Sequence, residues 1–289
     1  MLNPYQTVLA KIKDIRDESN EVKLFTLFFL DKNFKKDFNV KSGQIVEVGI
    51  YGFGEGPFAI CSSVYEKDFF QICVRKTGKL TNKMHKAKIG DIFTIRGPYG
   101  LGVFPETKRN LLLVAGGLGL VPLRSLIYKY IFGYFGGYWR LQKFNAPIVA
   151  LKGGFTPKAQ LFYGARSQDD LIFKDEYRRW RKYIDMHITL DNEEIGWNEH
   201  SGVITTLFRD VKIVDNPIAI LCGPPIMYKF VLDELKRLKF KDEDIYMSLE
   251  RRIHCAVGVC QHCAVGSKYI CKDGPVFRWK DIKSIKGII

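Results

Sequence analysis

The chain has 289 residues, room for about two domains, and its 46% apolar and 26% charged residues exclude a largely disordered or fibrous protein. Its formal net charge of +14, from 45 Lys+Arg against 31 Asp+Glu, speaks to partners and solubility rather than to fold. The excess is uneven: no Asp or Glu lies between Thr107 and Gln168, where nine Lys and Arg occur, so a general polyanion-binding surface gives way to one basic stretch.

The first hundred residues read as strands. Glu21–Leu30, Gln44–Ile50, Phe58–Ser62, Phe69–Arg75 and Asp91–Arg96 are β-branched or aromatic runs separated by Gly, Pro, Asn or Asp. Such spacing predicts a small antiparallel barrel or sandwich, with one short helix at Lys79–Lys86. After Pro105 the pattern changes. Leu111–Ala115, Leu161–Tyr163, His187–Leu190, Ile218–Cys222 and Ile245–Leu249 are short apolar runs, as expected of buried parallel strands. Helical stripes lie between them, one from Leu123 to Tyr134 and one from Met227 to Leu238 that starts at Pro224-Pro225. Alternating strand and helix predicts a doubly wound parallel sheet. The expected division is an antiparallel β-barrel at 1–104, a parallel α/β domain at 105–245 and a small C-terminal module at 246–289. Leu111–Trp139 is the most apolar region, but Arg124 and Lys129 break it and Gly and Pro fall early, so no transmembrane helix is expected.

Of the seven cysteines, four fall between positions 255 and 271. An odd count so clustered suits an intracellular chain with one metal site better than a secreted disulfide framework, and Met1–Ala10 has no signal-peptide pattern. The spacing Cys255-x4-Cys260-x2-Cys263-x7-Cys271 opens like a plant-type 2Fe–2S loop, with Gly258 suited to a tight turn around a cluster. A structural zinc site with four thiolates stays open on spacing alone, with His254 and His262 nearby. Cys61 and Cys73 fall in barrel strands and read as buried small hydrophobes.

Leu111–Ala115 runs into Gly116-Gly117-Leu118-Gly119-Leu120-Val121-Pro122 and then a helix. A strand, a glycine turn and a helix N-terminus together suit an anion. This is not the G-x-G-x-x-G fingerprint, and alone it reads equally as a tight structural turn. Gly164-Ala165-Arg166 and Cys222-Gly223-Pro224-Pro225 end later strands, where the same crevice would lie.

Together these residues resemble the ferredoxin–NADP reductase superfamily, and above all its members with a C-terminal 2Fe–2S cluster. Those are the γ (diaphorase) subunits of cytoplasmic NiFe hydrogenases and sulfhydrogenases, the corresponding subunit of anaerobic sulfite reductase, and the electron-transfer subunit of dihydroorotate dehydrogenase. The tail carries the likeness furthest, through Ser248-Leu249-Glu250-Arg251-Arg252, the four Cys, and Cys271-Lys272-Asp273-Gly274-Pro275-Val276-Phe277. The resemblance implies a cluster on Cys255, Cys260, Cys263 and Cys271. It implies FAD near Pro57, Phe58, Ala59, Ile60 and Arg75, with its pyrophosphate at Gly78, Leu80 and Thr81. The family's Arg-x-Tyr-Ser motif falls on Gly56-Pro57-Phe58-Ala59, where Arg, Tyr and Ser are all absent, and Phe58 reads also as a barrel core residue. It further implies NAD(P)H held by Gly116, Gly117, Gly119, Pro122, Gly164, Ala165, Arg166, Gly223, Pro224 and Pro225, with Cys222 near the nicotinamide. The implied function is an electron-transfer subunit working with a larger iron–sulfur or catalytic redox subunit in a hetero-oligomer, in the cytoplasm or held at a membrane through that partner. A stand-alone flavin/2Fe–2S reductase of an oxygenase and a zinc-stabilised nucleic-acid-binding protein are the rivals.

Relative to that family, Ile131–Gln160 is longer by roughly two dozen residues than a usual loop. Residues 128–160 hold nine aromatics, five Lys/Arg and no acid. The stretch suits packing on its own domain or docking a partner, and less well a membrane surface or single-stranded nucleic acid. Bound cofactors account for part of the charge: a 2Fe–2S centre with four thiolates and an FAD together carry about −4.

Overall fold

A computed structural model of the chain describes residues 3–102, 104, 105, 107–134 and 157–289, without the side chains of 131–134. The expected insertion at 131–160 therefore lies largely outside the described residues.

Six strands build the first sheet: β1 (Val8–Ser19), β2 (Val22–Phe29), β3 (Ile45–Ile50), β4 (Gly54–Ala59), β5 (Phe70–Arg75) and β6 (Ile92–Tyr99). Helix α1 (Lys32–Asp37) follows β2 and α2 (Lys79–His85) follows β5. The strand order is β4-β3-β6-β1-β2-β5, antiparallel throughout. An isolated Ile60–Ile72 bridge and the bond from Cys61 N–H to the Gln71 carbonyl bring the two ends together, so the sheet is barrel-like with an unclosed ladder. Its interior is apolar, around Phe25, Phe93, Val46 and Ile72.

Two differences from the expected strands have physical causes. The twelve-residue β1 was not expected, because Lys, Asp, Arg and Glu dominate it. Val8, Ala10 and Ile12 nevertheless alternate inward, the period-two pattern of a one-sided strand. The strand expected at Phe58–Ser62 instead runs Gly54–Ala59. Gly54-Glu55-Gly56-Pro57 reads as a turn, yet at the edge of the ladder a proline withholds no needed donor.

The second sheet contains β7 (Leu111–Gly116), β8 (Ala159–Ala165), β9 (Asp185–Leu190), β10 (His200–Ser201), β11 (Ile218–Cys222) and β12 (Ile245–Ser248). Helices α3 (Leu120–Tyr134), α4 (Lys174–Trp180), α5 (Leu207–Asp210) and α6 (Pro225–Arg237) connect them. The tail adds β13 (Ala264–Val265), β14 (Lys268–Tyr269), α7 (Ile270–Asp273), β15 (Val276–Arg278) and α8 (Trp279–Ile282). The order β10-β9-β8-β7-β11-β12-β15 is parallel except for β15, which pairs antiparallel with β12. Both faces are buried: in β7, Leu111, Leu113 and Ala115 join the core beneath α3, while Leu112 and Val114 join the core shared with α6 and the cysteine module. The apolar runs of these strands follow from that double burial. Direction of growth reverses between β7 and β11, which puts the switch point of the doubly wound sheet at the ends of those two strands.

Arg124, which interrupts the apolar run in sequence, is buried inside the molecule and joins the two sheets. Its Nη1 donates to the Cys61 carbonyl at 2.8 Å and to Gln71 Oε1 at 2.9 Å, both in the first sheet's region. Its Nε and Nη2 bind both oxygens of Glu176 on α4, and Tyr128 and Arg16 donate to the same carboxylate. The guanidinium also lies over the rings of Tyr128 and Phe173. Among the described residues, no helix is long and apolar enough to cross a membrane.

Candidate functional site

The glycine turn sits at the switch point, and its glycines are required by close approach. A Cβ on Gly119 would stand 1.9 Å from the Cys222 carbonyl oxygen, so the turn packs directly on the backbone that ends β11. A Cβ on Gly116 would meet Met227 Sδ at 2.7 Å and Pro224 Cδ at 3.1 Å. Gly117 adopts φ +53°, in the left-handed region that favours glycine. From this turn α3 starts, with Pro122 buried in its first turn; Pro225 opens α6, where its missing N–H costs nothing.

A cleft of about 590 Å³ opens in front of these turns, within the usual size of a small-molecule site. Of the residues singled out in the sequence, Arg75, Gly116, Gly117, Gly119, Gly164, Ala165, Arg166, Gly223 and Pro224 line it. Glu21, Val22 and Arg75 form its wall on the first sheet, where Arg75 pairs with Glu21 at 3.1 Å. Cys222 lies behind the wall, 3% exposed in the core beneath α3, and burial pushes its thiol up to about 12.

The cleft also holds acids that were not singled out. Asp191 follows β9, and Glu250 follows β12. Burial raises the Asp191 carboxyl, with Arg166 opposing and Asp170 reinforcing the shift. The crowding walls likewise raise Glu250, although water reaches its side chain. Asp191 was detectable in principle, since ligands in open α/β sheets meet the carboxyl ends of strands.

Apart from Arg75, the first-sheet residues singled out for a flavin lie outside this cleft. Phe58 packs against the barrel core with Leu80, Ile60 is buried, Ala59 is half-buried, and Pro57 and Gly78 are exposed. Gly56 lies beside Phe58 and Leu80, and a Cβ on Gly78 would meet nothing within 4 Å. The Thr81 hydroxyl accepts from the N–H groups of Thr77 and Gly78, so it serves the start of α2 itself. Lys79 and Lys83 lie over the exposed side of Phe53.

The four tail cysteines come together as two pairs. Cys263 and Cys271 are buried with their sulfurs 3.3 Å apart. Cys260 and Cys255 form the outer pair, and the N–H groups of Val259 and Cys260 point at the Cys255 sulfur at 3.4 Å. Burial opposes the Cys255 thiolate, but the N–H groups of Cys260, Val257 and Val259 outweigh it and hold the thiol down to about 6. Ala256, Gly258 and Gln261 take φ of +60°, +81° and +63°, which bends the loop around the sulfurs. Among the described residues no three His, Cys, Asp or Glu side chains converge on a single point. Two cysteine pairs, the outer one with N–H groups turned to the Cys255 sulfur, suit a two-iron cluster, which takes two ligands per iron. The rings of His254 and His262 pack on each other, centroids 4.4 Å apart.

Residues 250–283 match the family model of the iron–sulfur cluster binding domain of dihydroorotate dehydrogenase B, and residues 113–233 that of the oxidoreductase NAD-binding domain. The chain is 40% identical over 310 residues to sulfhydrogenase 2 subunit gamma of Pyrococcus furiosus, covering 100% of both chains. It is 34% identical to sulfhydrogenase 1 subunit gamma of the same organism, over 99% of this chain and 96% of that one. It is 30% identical to a probable dihydroorotate dehydrogenase B (NAD(+)) electron transfer subunit of Methanocaldococcus jannaschii, over 96% and 92%. Among solved structures it is similar to an NADH-dependent reduced ferredoxin–NADP oxidoreductase with TM-score 0.73, at 23% identity, covering 97% of this chain and 94% of the other. At that identity the likeness shows the shared fold.

Proposed function

Because the chain belongs to the family of sulfhydrogenase gamma subunits and dihydroorotate dehydrogenase B electron-transfer subunits, we propose that it moves electrons between a nicotinamide dinucleotide in the switch-point cleft and a 2Fe–2S cluster on Cys255, Cys260, Cys263 and Cys271, by way of an FAD on the first sheet. The relatives are subunits, and a larger redox subunit is the donor or acceptor beyond the cluster.

One observation carries this reading. The first sheet stands between the two ends of the route: the ends of β1, β2 and β5 border the cleft, while β3 and β6 pack against the cysteine module. A carrier on that sheet joins them. The open backbone at Gly78 and the cations Lys79 and Lys83 suit an anionic dinucleotide such as FAD there. A bound flavin exchanges a hydride with nicotinamide and single electrons with a cluster. This chain's residues hold the parts in place. The turn at Gly116, Gly117 and Gly119, with the start of α3, receives the dinucleotide pyrophosphate through backbone N–H groups. Arg166, Asp170 and Asp191 face its adenosine ribose, and Pro224 and Met227 wall the other end near Cys222. No acid–base dyad is required. A cytoplasmic location suits a cluster loop built of free thiols.

Purified protein should show flavin bands near about 370 and about 450 nm with iron–sulfur shoulders, bleached anaerobically by NADH or NADPH. Affinity capture from the native host should bring down a larger iron–sulfur subunit in constant ratio. A colourless protein, or one carrying only zinc, overturns the proposal, and capture of the chain alone overturns the partner.

A further inference from the structure

β3 and β6 turn one face inward to the barrel core and the other toward the tail. On that outer face Ile45 and Tyr99 share a core with Ala256, Cys263 and Cys271. Among them lies Arg96, on β6 and 8% exposed. Its Nε donates to Glu55 Oε2 at 3.0 Å and its Nη2 to Glu55 Oε1, a two-pronged grip on β4. Its Nη1 donates to the Tyr99 hydroxyl at 2.9 Å and to the Cys255 carbonyl at 3.4 Å. The guanidinium thus reaches from the sheet onto the backbone of a cluster cysteine. Glu47 on β3 stands directly across from Arg96 in the ladder, 1% exposed, with neither carboxylate oxygen hydrogen-bonded.

We propose that Arg96 is a positioning residue for the cluster: it ties the Cys255 end of the loop to the first sheet and, as a buried fixed cation beside it, holds the cluster's reduction potential up. The inference rests on the 2Fe–2S reading above. Reduction adds one negative charge to the cluster. A guanidinium keeps its proton under all ordinary conditions, and net charge and hydrogen bonding around the sulfurs set the potentials of such centres. A neighbouring cation stabilises the reduced form more strongly where water is excluded. Glu55 cancels part of that effect, so the two members of one ion pair act in opposite senses.

The test is an EPR-monitored redox titration of the purified holoprotein. The wild type must first show a reduced-cluster signal; its absence sinks the cluster reading itself, before any variant is made. Arg96→Gln is expected to lower the cluster midpoint, and Glu55→Gln to raise it, with the flavin midpoint unchanged in both. Arg96→Lys keeps the charge but not the fork. It should hold a midpoint near that of the wild type while losing its cluster several-fold faster to a chelator. If Arg96→Gln does not fold, Glu55→Gln decides alone, since its side chain is 39% exposed: an upward shift supports the proposal, and no shift or a downward one overturns it. Variants that lose cluster content while the remaining clusters titrate at the wild-type midpoint, or that shift in the same direction, overturn it as well.

Discussion

Two buried arginines hold the first sheet to its neighbours, and they do so differently. On the nucleotide side, Arg124 meets Glu176, Gln71 and the Cys61 carbonyl, and Tyr128 and Arg16 complete the carboxylate's partners. That network is closed. On the cluster side, Arg96 meets Glu55, Tyr99 and the Cys255 carbonyl, but Glu47 beside it has no partner for either oxygen. A closed network fixes two bodies rigidly, because losing any member strands a buried charge. An open one leaves an acid whose charge depends on conditions. The nucleotide seam therefore reads as architecture, and the cluster seam as local electrostatics.

The sharpest way to break this contrast is to remove Arg124. Arg124→Met leaves the Glu176 carboxylate buried without its main partner and should cost about 3–5 kcal/mol, read by urea or thermal unfolding. Replacing both residues by apolar ones should recover most of that loss, because no charge is then stranded. A single-variant loss under about 1 kcal/mol would mean that water already screens the pair. The pH dependence has a definite sign. Burial raises the Glu176 carboxyl, but the Arg124 charge and the hydrogen bonds from Arg124 and Tyr128 outweigh it and leave the group below the ordinary carboxylate range. Its stabilisation is present above the unfolded value and is lost as pH falls through the folded one.

The cluster seam should behave in the opposite way. Burial first, then the nearby Glu55, raises the Glu47 carboxyl to about 8, with Arg96 opposing. The native state then holds a proton that the unfolded chain releases. Stability is full below the unfolded carboxyl value and is lost as pH rises to about 8. Glu47→Gln abolishes that slope and should gain about 2 kcal/mol over wild type at the alkaline end, read as Tm against pH at one scan rate. Parallel profiles for the two proteins would show that Glu47 is ionised and hydrated.

The same contrast explains what the sequence made legible. Strands buried on both faces announce themselves as apolar runs, so Leu111–Gly116 and Ile218–Cys222 were readable almost to the residue. The glycine turn was readable because close approach and positive φ demand glycine there, and the cysteine spacing because a cluster needs thiol ligands at short separations. What stayed hidden was polar. Strand β1 is charged on its outward positions, and its alternation was masked. Arg124 read as an interruption because its partner Glu176 lies 52 positions away. Glu47 and Arg96 are ordinary charged residues until strand register sets them opposite each other. Asp191 reaches the cleft only through the position of β9 in the sheet.

The smallest effect concerns the cleft's choice of coenzyme. Arg166 is exposed at the end of β8, with Asp170 and Asp191 lining the same part of the cleft. A guanidinium there favours a 2′-phosphate, whereas the carboxylates favour a free ribose hydroxyl. The groups compete, so neither coenzyme is excluded and the discrimination is modest. Arg166→Ala should raise the KM for NADPH about tenfold, close to 1.4 kcal/mol, and leave the KM for NADH within a factor of about two. Equal rises for both coenzymes would place Arg166 on a phosphate common to both, and the preference would then rest with Asp170 and Asp191.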